Sequence, residues 1–280
     1  MSVAFVLGGG GGPLGAHEVG MLQALAERGI VPDLVLGTSV GAINGAAFAA
    51  DPTADGVRRL TAMWTAMGSG DLFSGSLVGR VATLARTRTH LHDNGPLRAL
   101  LAEGLGDRRI EDLALPFQCV AASIERAGEH WFTEGPVVEA VLASASVPGI
   151  LPPVEIGGEH FVDGGIVNSI PVNRAVELGA TRIYVLHVGR LDRALEPPRW
   201  PWEVGLVAFE IARRHRVVGD LAALPAGIEA HVLPTGWTDP PRYSDLKQLR
   251  YRDASRVRER IGSAHEATVR HLDGHGLAGA

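Results

Sequence analysis

The feature that most constrains this chain is a Gly-x-Ser-x-Gly pentapeptide, Gly37 to Gly41, that joins a short apolar segment to an alanine-rich one. Residues 34–36 are typical of a buried strand, and the small residues 42–50 are typical of a helix packed closely on a sheet. A serine on so tight a strand-to-helix turn points its hydroxyl away from the sheet, and glycine neighbours avoid side-chain clashes. Ser39 is therefore a candidate nucleophile at the positive end of a helix, with simple helix capping as the alternative.

A second glycine-rich turn lies upstream. The five glycines Gly8 to Gly12 follow the apolar segment 3–7 and precede a helix predicted over residues 16–28. Consecutive glycine N–H groups at the start of a helix form a concave donor site for a phosphate or an oxyanion, because no side chain covers them. The sequence therefore has two glycine turns at the ends of its first two predicted strands.

One interpretation of the first turn is dinucleotide binding. Gly10, Gly12 and Gly15 fit G-x-G-x-x-G, and Asp33 follows at about the distance expected of a ribose-binding acid. The chain would then be a nicotinamide-dependent oxidoreductase. However, Asp33 begins the second predicted strand, whereas the ribose-binding acid ends it. Because that strand ends at Ser39, two glycine turns that face one reacting carbonyl fit the sequence better.

A nucleophilic serine needs a base, and the sequence offers two candidates. Asp163 ends the predicted strand 159–162, and the abrupt turn at Gly164 and Gly165 leaves its carboxylate at the strand end. Such a carboxylate accepts a proton if burial raises its pKa. The other candidate is a Ser-Asp-His series with His187, which sits in a later predicted strand where it could face the core as a neutral side chain. An ordinary Asp-Gly-Gly turn is the alternative without function.

These motifs, taken in order, resemble the patatin-like phospholipase family. The motifs are residues 10–15, 37–41 and 163–165, and residues 138–148 and 152–188 are also similar to that family.

The resemblance covers roughly residues 2–189 and implies a catalytic dyad of Ser39 and Asp163 with an oxyanion hole from the glycine loop. It also implies hydrolysis of an acyl ester, commonly in a phospholipid or other lipid, without metal or organic cofactor. Leu14 departs from the family pattern, which usually has Arg or Lys immediately before the last glycine of the loop. The expected oxyanion-binding residues are Gly10, Gly11, Gly12, Gly15 and Val40, and the motif glycines are Gly37, Gly41, Gly164 and Gly165.

The alternation of strands and helices predicts a three-layer α/β/α fold with a mostly parallel central sheet and additional C-terminal helices. We expect a catalytic domain over residues 1–189 and a mainly helical extension over residues 190–280 that packs on the same domain. A standard α/β-hydrolase is disfavoured because Ser39 follows only two strands. A chain of 280 residues with 46% hydrophobic content can bury such a core.

The helical segment 55–105 contains a group of large apolar side chains. These could flank a lipid-binding groove as a lid, or they could be plain core residues at helical spacing. The residues are Met63, Trp64, Met67 and Phe73.

Composition and local patterns limit the remaining possibilities. The net charge of −5 argues against a general nucleic-acid binder, and the single cysteine, Cys119, excludes an intrachain disulfide. The N-terminal apolar run is too short for a signal peptide or a membrane span, so we expect a cytoplasmic protein. No spacing of metal ligands stands out.

Residues 204–216 combine an apolar run with a basic cluster. They predict either a helix packed on the sheet or a helix that lies on an anionic membrane surface. Peripheral membrane contact is therefore a possible property of the chain, and a noncatalytic lipid-binding module is the third candidate function, besides the acyl hydrolase and the oxidoreductase.

Overall fold

The fold is built on one mixed β-sheet. The computed structural model describes residues 2–10, 12–69, 89–188, 194–237 and 254–278. The strands are β1 (Val3–Leu7), β2 (Leu34–Thr38), β3 (Phe117–Ser123), β4 (Gly128–Phe132), β5 (Val154–Ile156), β6 (Glu159–Asp163), β7 (Arg182–Leu186) and β8 (Glu229–Leu233). In the described ranges their order is β5-β6-β3-β2-β1-β7-β8, with β4 also paired to β3.

The centre of the sheet is parallel. Strands β3, β2, β1, β7 and β8 pair in parallel, whereas β4 and β6 are antiparallel to β3. A parallel strand covered on both faces has an uninterrupted apolar sequence, as β1 does. Phe5 and Leu7 of β1 face one hydrophobic core, and Ala4 and Val6 face the other. The predicted three-layer, mostly parallel fold is confirmed.

Helices cover both faces of the sheet. They are α1 (Ala16–Glu27), α2 (Val40–Ala50), α3 (Ala54–Ser69), α4 (Gly95–Leu105), α5 (Val137–Ser144), α6 (Val172–Glu177), α7 (Pro201–Ala222) and α8 (Ala254–Gly274). Helices α1 to α5 and α8 contribute to the core beneath Phe5 and Leu7, whereas α6 and Val217 of α7 pack on the opposite face. None of these helices combines the length and the apolar composition that crossing a bilayer requires.

The C-terminal part of the chain also contributes to the sheet. Strand β8, which the sequence patterns did not predict, pairs in parallel with β7, from Arg182 beside Glu229 to Leu186 beside Leu233. Helix α8 packs against α1 and α3 through a face that includes Val257. The region expected to be mainly helical therefore also extends the central sheet by one strand.

The apolar group in the helical segment is part of the core. Trp64 and Met67 are buried in the main hydrophobic cluster, and Met63 packs against that cluster. Phe73 lies outside the described residues. For the three described side chains, the plain-core interpretation is correct and the lid interpretation is wrong.

Candidate active site

The topology of the sheet brings Ser39 and Asp163 together. Strand β2 runs parallel to β3 and ends with Thr38 beside Val120. Strand β6 runs antiparallel to β3 and ends with Asp163 beside Ala121. The two strands therefore approach each other along β3 and end at adjacent positions. Ser39 immediately follows β2, so residues separated by more than a hundred positions in sequence meet at this point.

The two side chains are hydrogen-bonded. The hydroxyl of Ser39 donates to Oδ2 of Asp163 at 2.6 Å. The other carboxylate oxygen, Oδ1, accepts the backbone N–H of Gly165 at 2.7 Å. Ser39 is 9% exposed and Asp163 is 3% exposed, so water competes little for either group. A buried serine hydroxyl that donates to a carboxylate is arranged for transfer of its proton.

Burial changes the acidity of the carboxyl group. Desolvation raises the pKa of Asp163 from 3.8 to about 6, although the hydrogen bonds from Ser39 and Gly165 act in the opposite direction. At neutral pH the carboxyl group of Asp163 is therefore ionised in most molecules, yet this carboxylate is a stronger base than that of an exposed aspartate. This combination suits a general base at neutral pH.

The backbone at Ser39 is strained. Its φ of 56° and ψ of −121° lie in a region that residues with a side chain rarely adopt, at a cost on the order of 1–3 kcal/mol. The N–H of Ser39 donates to Oγ of Ser144 at 3.0 Å, and that hydroxyl donates to the carbonyl of Val120 at 2.6 Å. Ser144 thus ties the strained turn to β3. The local sequence around Ser144 does not predict this contact.

Close packing explains the glycines of the turn. A β-carbon on Gly41 would overlap the carbonyl of Leu7 at the end of β1, and one on Gly37 would lie 2.6 Å from Cα of Ala42. Any side chain at either position would push α2 away from the sheet. At the end of β6, Gly164 approaches the backbone of Val120 just as closely.

The glycine loop lies beside Ser39. The N–H of Gly8 donates to the carbonyl of Leu186 at 2.8 Å, and the N–H of Gly9 donates to the carbonyl of Ser169 at 2.7 Å. A β-carbon on Gly9 would be 3.6 Å from Cβ of Ser39. These two amides therefore anchor the loop against the end of β7 and the segment that precedes α6, and they are not available to a ligand.

The expected oxyanion-binding residues are distributed around this point. Within the described residues, the N–H groups of Gly10 and Val40 donate to no protein acceptor. Val40 is the first residue of α2, where the backbone N–H groups have no partner inside the helix. Gly12 and Gly15 begin and end a short 3-10 helix that leads into α1. Gly11 lies outside the described residues.

Comparison with known proteins identifies the family. The patatin-like phospholipase family model matches residues 5–176. The chain belongs to the patatin-like phospholipase family. The match includes the glycine loop, the turn at Ser39 and the end of β6 at Asp163.

Relatives of this patatin-like chain are much longer proteins. It is 33% identical over 193 residues to patatin-like phospholipase domain-containing protein 7 of Rattus norvegicus, which covers 68% of this chain and 14% of that protein. It is 35% identical over 192 residues to lysophospholipase nte1 of Aspergillus terreus, which covers 68% of this chain and 12% of that protein. The solved structure of VipD from Legionella pneumophila aligns with a TM-score of 0.45 and 13% identity, covering 98% of this chain and 67% of that one.

The patatin-like loop of this chain is apolar at the position of the usual cation. Leu14 is buried, and its carbonyl contacts Nδ1 of His17 at 2.9 Å. Burial lowers the pKa of His17 to about 4, so its imidazole is neutral near pH 7. Neither residue places a positive charge in the loop.

The Ser-Asp-His interpretation is wrong. His187 follows the end of β7 and is buried, and burial together with the charges of Arg213 and Arg214 lowers its pKa well below the ordinary range. In the described part of the chain, the carboxylate of Asp163 accepts hydrogen bonds from Ser39 and Gly165. His187 is not among them.

Asp33, the acid that the dinucleotide interpretation requires, does not lie at the glycine loop. Oδ2 of Asp33 accepts the N–H of Val3 at 2.8 Å, at the first residue of β1. Asp33 therefore lies at the opposite end of the parallel strands from the glycine loop and Ser39. A ribose bound near the loop could not reach it. In the ranges that the structure describes, no cluster of three or more His, Cys, Asp or Glu side chains could hold a metal ion.

Proposed function

We propose that this chain is a serine acyl hydrolase that cleaves carboxylic ester bonds of lipids through Ser39 and Asp163. The observation that carries the proposal is the 2.6 Å hydrogen bond between the two buried side chains at the positive end of α2. Family membership and the names of the relatives, a phospholipase and a lysophospholipase, support a lipid ester as the substrate.

In the first half of the reaction, Oγ of Ser39 attacks the ester carbonyl carbon while Asp163 accepts the hydroxyl proton. The carbonyl oxygen becomes an oxyanion, which the N–H groups of the glycine loop and of Val40 stabilise. The bond to the alcohol then breaks, and Asp163 returns the proton to the leaving oxygen. The products of this half are the free alcohol and an acyl ester on Ser39.

In the second half, Asp163 takes a proton from water as the water oxygen attacks the acyl group on Ser39. The same N–H groups stabilise the second oxyanion. Oγ then leaves as its bond to the acyl carbon breaks, and it recovers the proton from Asp163. The net reaction consumes one ester and one water and releases one carboxylic acid and one alcohol, and no metal or organic cofactor takes part.

The pH dependence of hydrolysis tests this assignment. We expect kcat/KM for p-nitrophenyl butyrate to rise about tenfold per pH unit below the midpoint and to level off above it, since the base must be ionised. The midpoint should lie near pH 6, the value that burial gives the pKa of Asp163. A folded His187→Gln variant should show the same acid limb. Loss of that limb in the variant, or a midpoint near pH 4 in the wild type, would contradict the proposal.

Helix α7 supports contact with a lipid surface. Its exposed residues in the described part of the helix are apolar apart from His215, whereas all of its described Asp, Glu and Arg residues are at least partly covered. This is the reverse of the usual pattern for a surface helix. The exposed residues are Val204, Gly205, Ala208, Phe209, Ile211, Ala212, His215, Val218, Gly219 and Ala222.

The arginines of α7 do not present the basic surface expected from the sequence. Arg213 and Arg214 pair with Glu210. Arg216 pairs with Asp220 and with Glu129 of β4. The positive charges of this cluster are therefore paired within the protein.

The apolar face of α7 is continuous with the proposed active site. The ring of Phe209 lies 3.2 Å from the position of a β-carbon on Gly165, two residues after Asp163. Ile166 beside it is also exposed. We therefore propose that the face formed by the exposed residues of α7 rests on the lipid surface that supplies the substrate. The cytoplasmic location stays a prediction.

Vesicle binding tests the role of α7. Ile211 is 55% exposed on α7, and Val31 is 61% exposed at the opposite end of β2. We expect Ile211→Glu to weaken cosedimentation with phosphatidylcholine vesicles by about tenfold or more, because a charged side chain then takes the place of an apolar one at the contact with the lipid. Val31→Glu should bind as the wild type does, and both variants should hydrolyse soluble p-nitrophenyl butyrate normally. Equal binding by both variants would rule out this face.

A further inference from the structure

A buried polar network lies behind the glycine loop, and the proposed mechanism does not use it. Glu18 of α1, Asn44 of α2 and Trp64 of α3 are all fully buried. Nδ2 of Asn44 donates to Oε2 of Glu18 at 2.7 Å and to the carbonyl of Gly15 at 2.9 Å. Nε1 of Trp64 donates to Oδ1 of Asn44 at 2.7 Å. One amide group therefore connects three helices to the end of the glycine loop.

The same network fixes the position of the loop relative to the nucleophile. A β-carbon on Gly15 would overlap the side chain of Val40 and would lie 2.7 Å from Cζ2 of Trp64. Gly15 is thus held between the indole ring and the residue that follows Ser39. Because Asn44 also bonds the carbonyl of Gly15, the loop end has little freedom to move toward or away from the turn at Ser39.

Burial favours the uncharged form of Glu18. Burial raises its pKa well above the usual range, and the amide of Asn44 and the backbone of Gly8 oppose that shift only in part. No cation is among the groups that contact it in the described residues, and a carboxylate buried without a counter-charge is strongly unfavourable. A glutamine would therefore preserve both the shape and the acceptor that Asn44 requires.

We propose that Asn44 is a positioning residue that, held by Glu18 and Trp64, sets the distance between the oxyanion-binding loop and Ser39. This inference rests on the proposed acyl-hydrolase function. The oxyanion exists only in the transition state and the tetrahedral intermediate, so misplacing its donors lowers kcat with little change in KM. A purely structural role would instead lower stability and leave the kcat of the folded fraction unchanged.

The test compares four variants with the wild type on p-nitrophenyl butyrate. Asn44→Ala should lower kcat by about 100-fold, comparable to the loss of one oxyanion donor. Trp64→Phe, which removes one hydrogen bond and retains most of the ring, should lower kcat by about tenfold, with KM within about twofold of the wild-type value. Glu18→Gln should stay within about twofold of the wild type in both constants. Leu105→Ala, a core truncation in α4, should lower the melting temperature without lowering kcat.

The possible failures are distinguishable. If the wild type hydrolyses the ester and Trp64→Phe retains its kcat, the positioning role is refuted and the proposed function stands. Where Asn44→Ala does not fold, Trp64→Phe and Glu18→Gln still decide the question. A fall in kcat for Glu18→Gln as large as that for Trp64→Phe would also refute the neutral-acid role. A wild type without esterase activity would overturn the proposed function and this inference together.

Discussion

Replacing Asp163 with asparagine is expected to abolish most of the activity and to stabilise the protein. Oδ1 of the amide can still accept the N–H of Gly165, and Nδ2 can donate to the hydroxyl of Ser39, so both hydrogen bonds have a counterpart. The amide cannot take up a proton. We expect kcat/KM to fall by about 10,000-fold, which is typical when the base of a serine nucleophile loses its function.

The stability gain should depend on pH. The pKa of Asp163 is about 6 in the folded protein against 3.8 for an exposed group, so ionisation is disfavoured by folding. Well below pH 4 the group is protonated in both states and no penalty exists. As the pH rises from about 4 to above 6, the free energy of unfolding of the wild type falls by about 3 kcal/mol, since each pKa unit corresponds to about 1.4 kcal/mol. Asp163→Asn removes this loss.

Denaturant unfolding of both proteins at pH 4 and pH 8 measures this difference. Asp163→Asn should be more stable than the wild type at pH 8 by up to about 3 kcal/mol, and the gap should shrink at pH 4. Near-normal activity in the variant would remove Asp163 from the mechanism. A variant that is less stable than the wild type at pH 8 would contradict the energetic account of its burial.

Replacing Ser39 with alanine is expected to reduce ester hydrolysis to background, a loss of about 10,000-fold or more, because no other group forms the acyl intermediate. Ser39→Gly should be equally inactive but about 1 kcal/mol more stable than Ser39→Ala, since glycine tolerates the positive φ of 56° at this turn. The pair therefore separates the chemistry of the hydroxyl from the strain of the backbone. Comparable stability of the two variants would mean that the turn relaxes when the hydroxyl is absent.

Local sequence signals were sufficient for strands β1, β2 and β6, and the resemblance to the patatin-like phospholipase family supplied the pairing of Ser39 with Asp163. The apolar run of β1 and the glycine-bounded turn at Ser39 are each specified within about ten residues. The Asp-Gly-Gly turn likewise marks the end of β6 at Asp163. The structure places the two side chains in hydrogen-bond contact, and their catalytic role stays a prediction that the variants above test.

Contacts between distant segments could not be predicted in the same way. The acceptor role of Ser144 depends on α5 reaching the end of β2, and nothing in its local sequence indicates this. Asn44 is a lone polar residue in an otherwise small and apolar helix, and that isolation was the available signal of a buried network. Its partners, Glu18 and Trp64, come from two other helices.

The C-terminal region shows the same limit. Strand β8 is only five residues long and partly exposed, so its alternation is too short to distinguish from a loop. The basic cluster of α7 suggested a charged surface, but its arginines pair with Glu210 and Asp220, three or four residues away on the same helix, and with Glu129 of β4. Pairing of this kind depends on which face of the helix packs against the protein.

The most direct test of the account is covalent labelling with a fluorophosphonate probe, followed by peptide mapping of the modified residue. We predict stoichiometric modification of Ser39 in the wild type, none in Ser39→Ala, and much slower modification in Asp163→Asn, because the hydroxyl there lacks a base. Modification of another residue, or equal labelling of Ser39→Ala, would show that the nucleophile has been assigned wrongly.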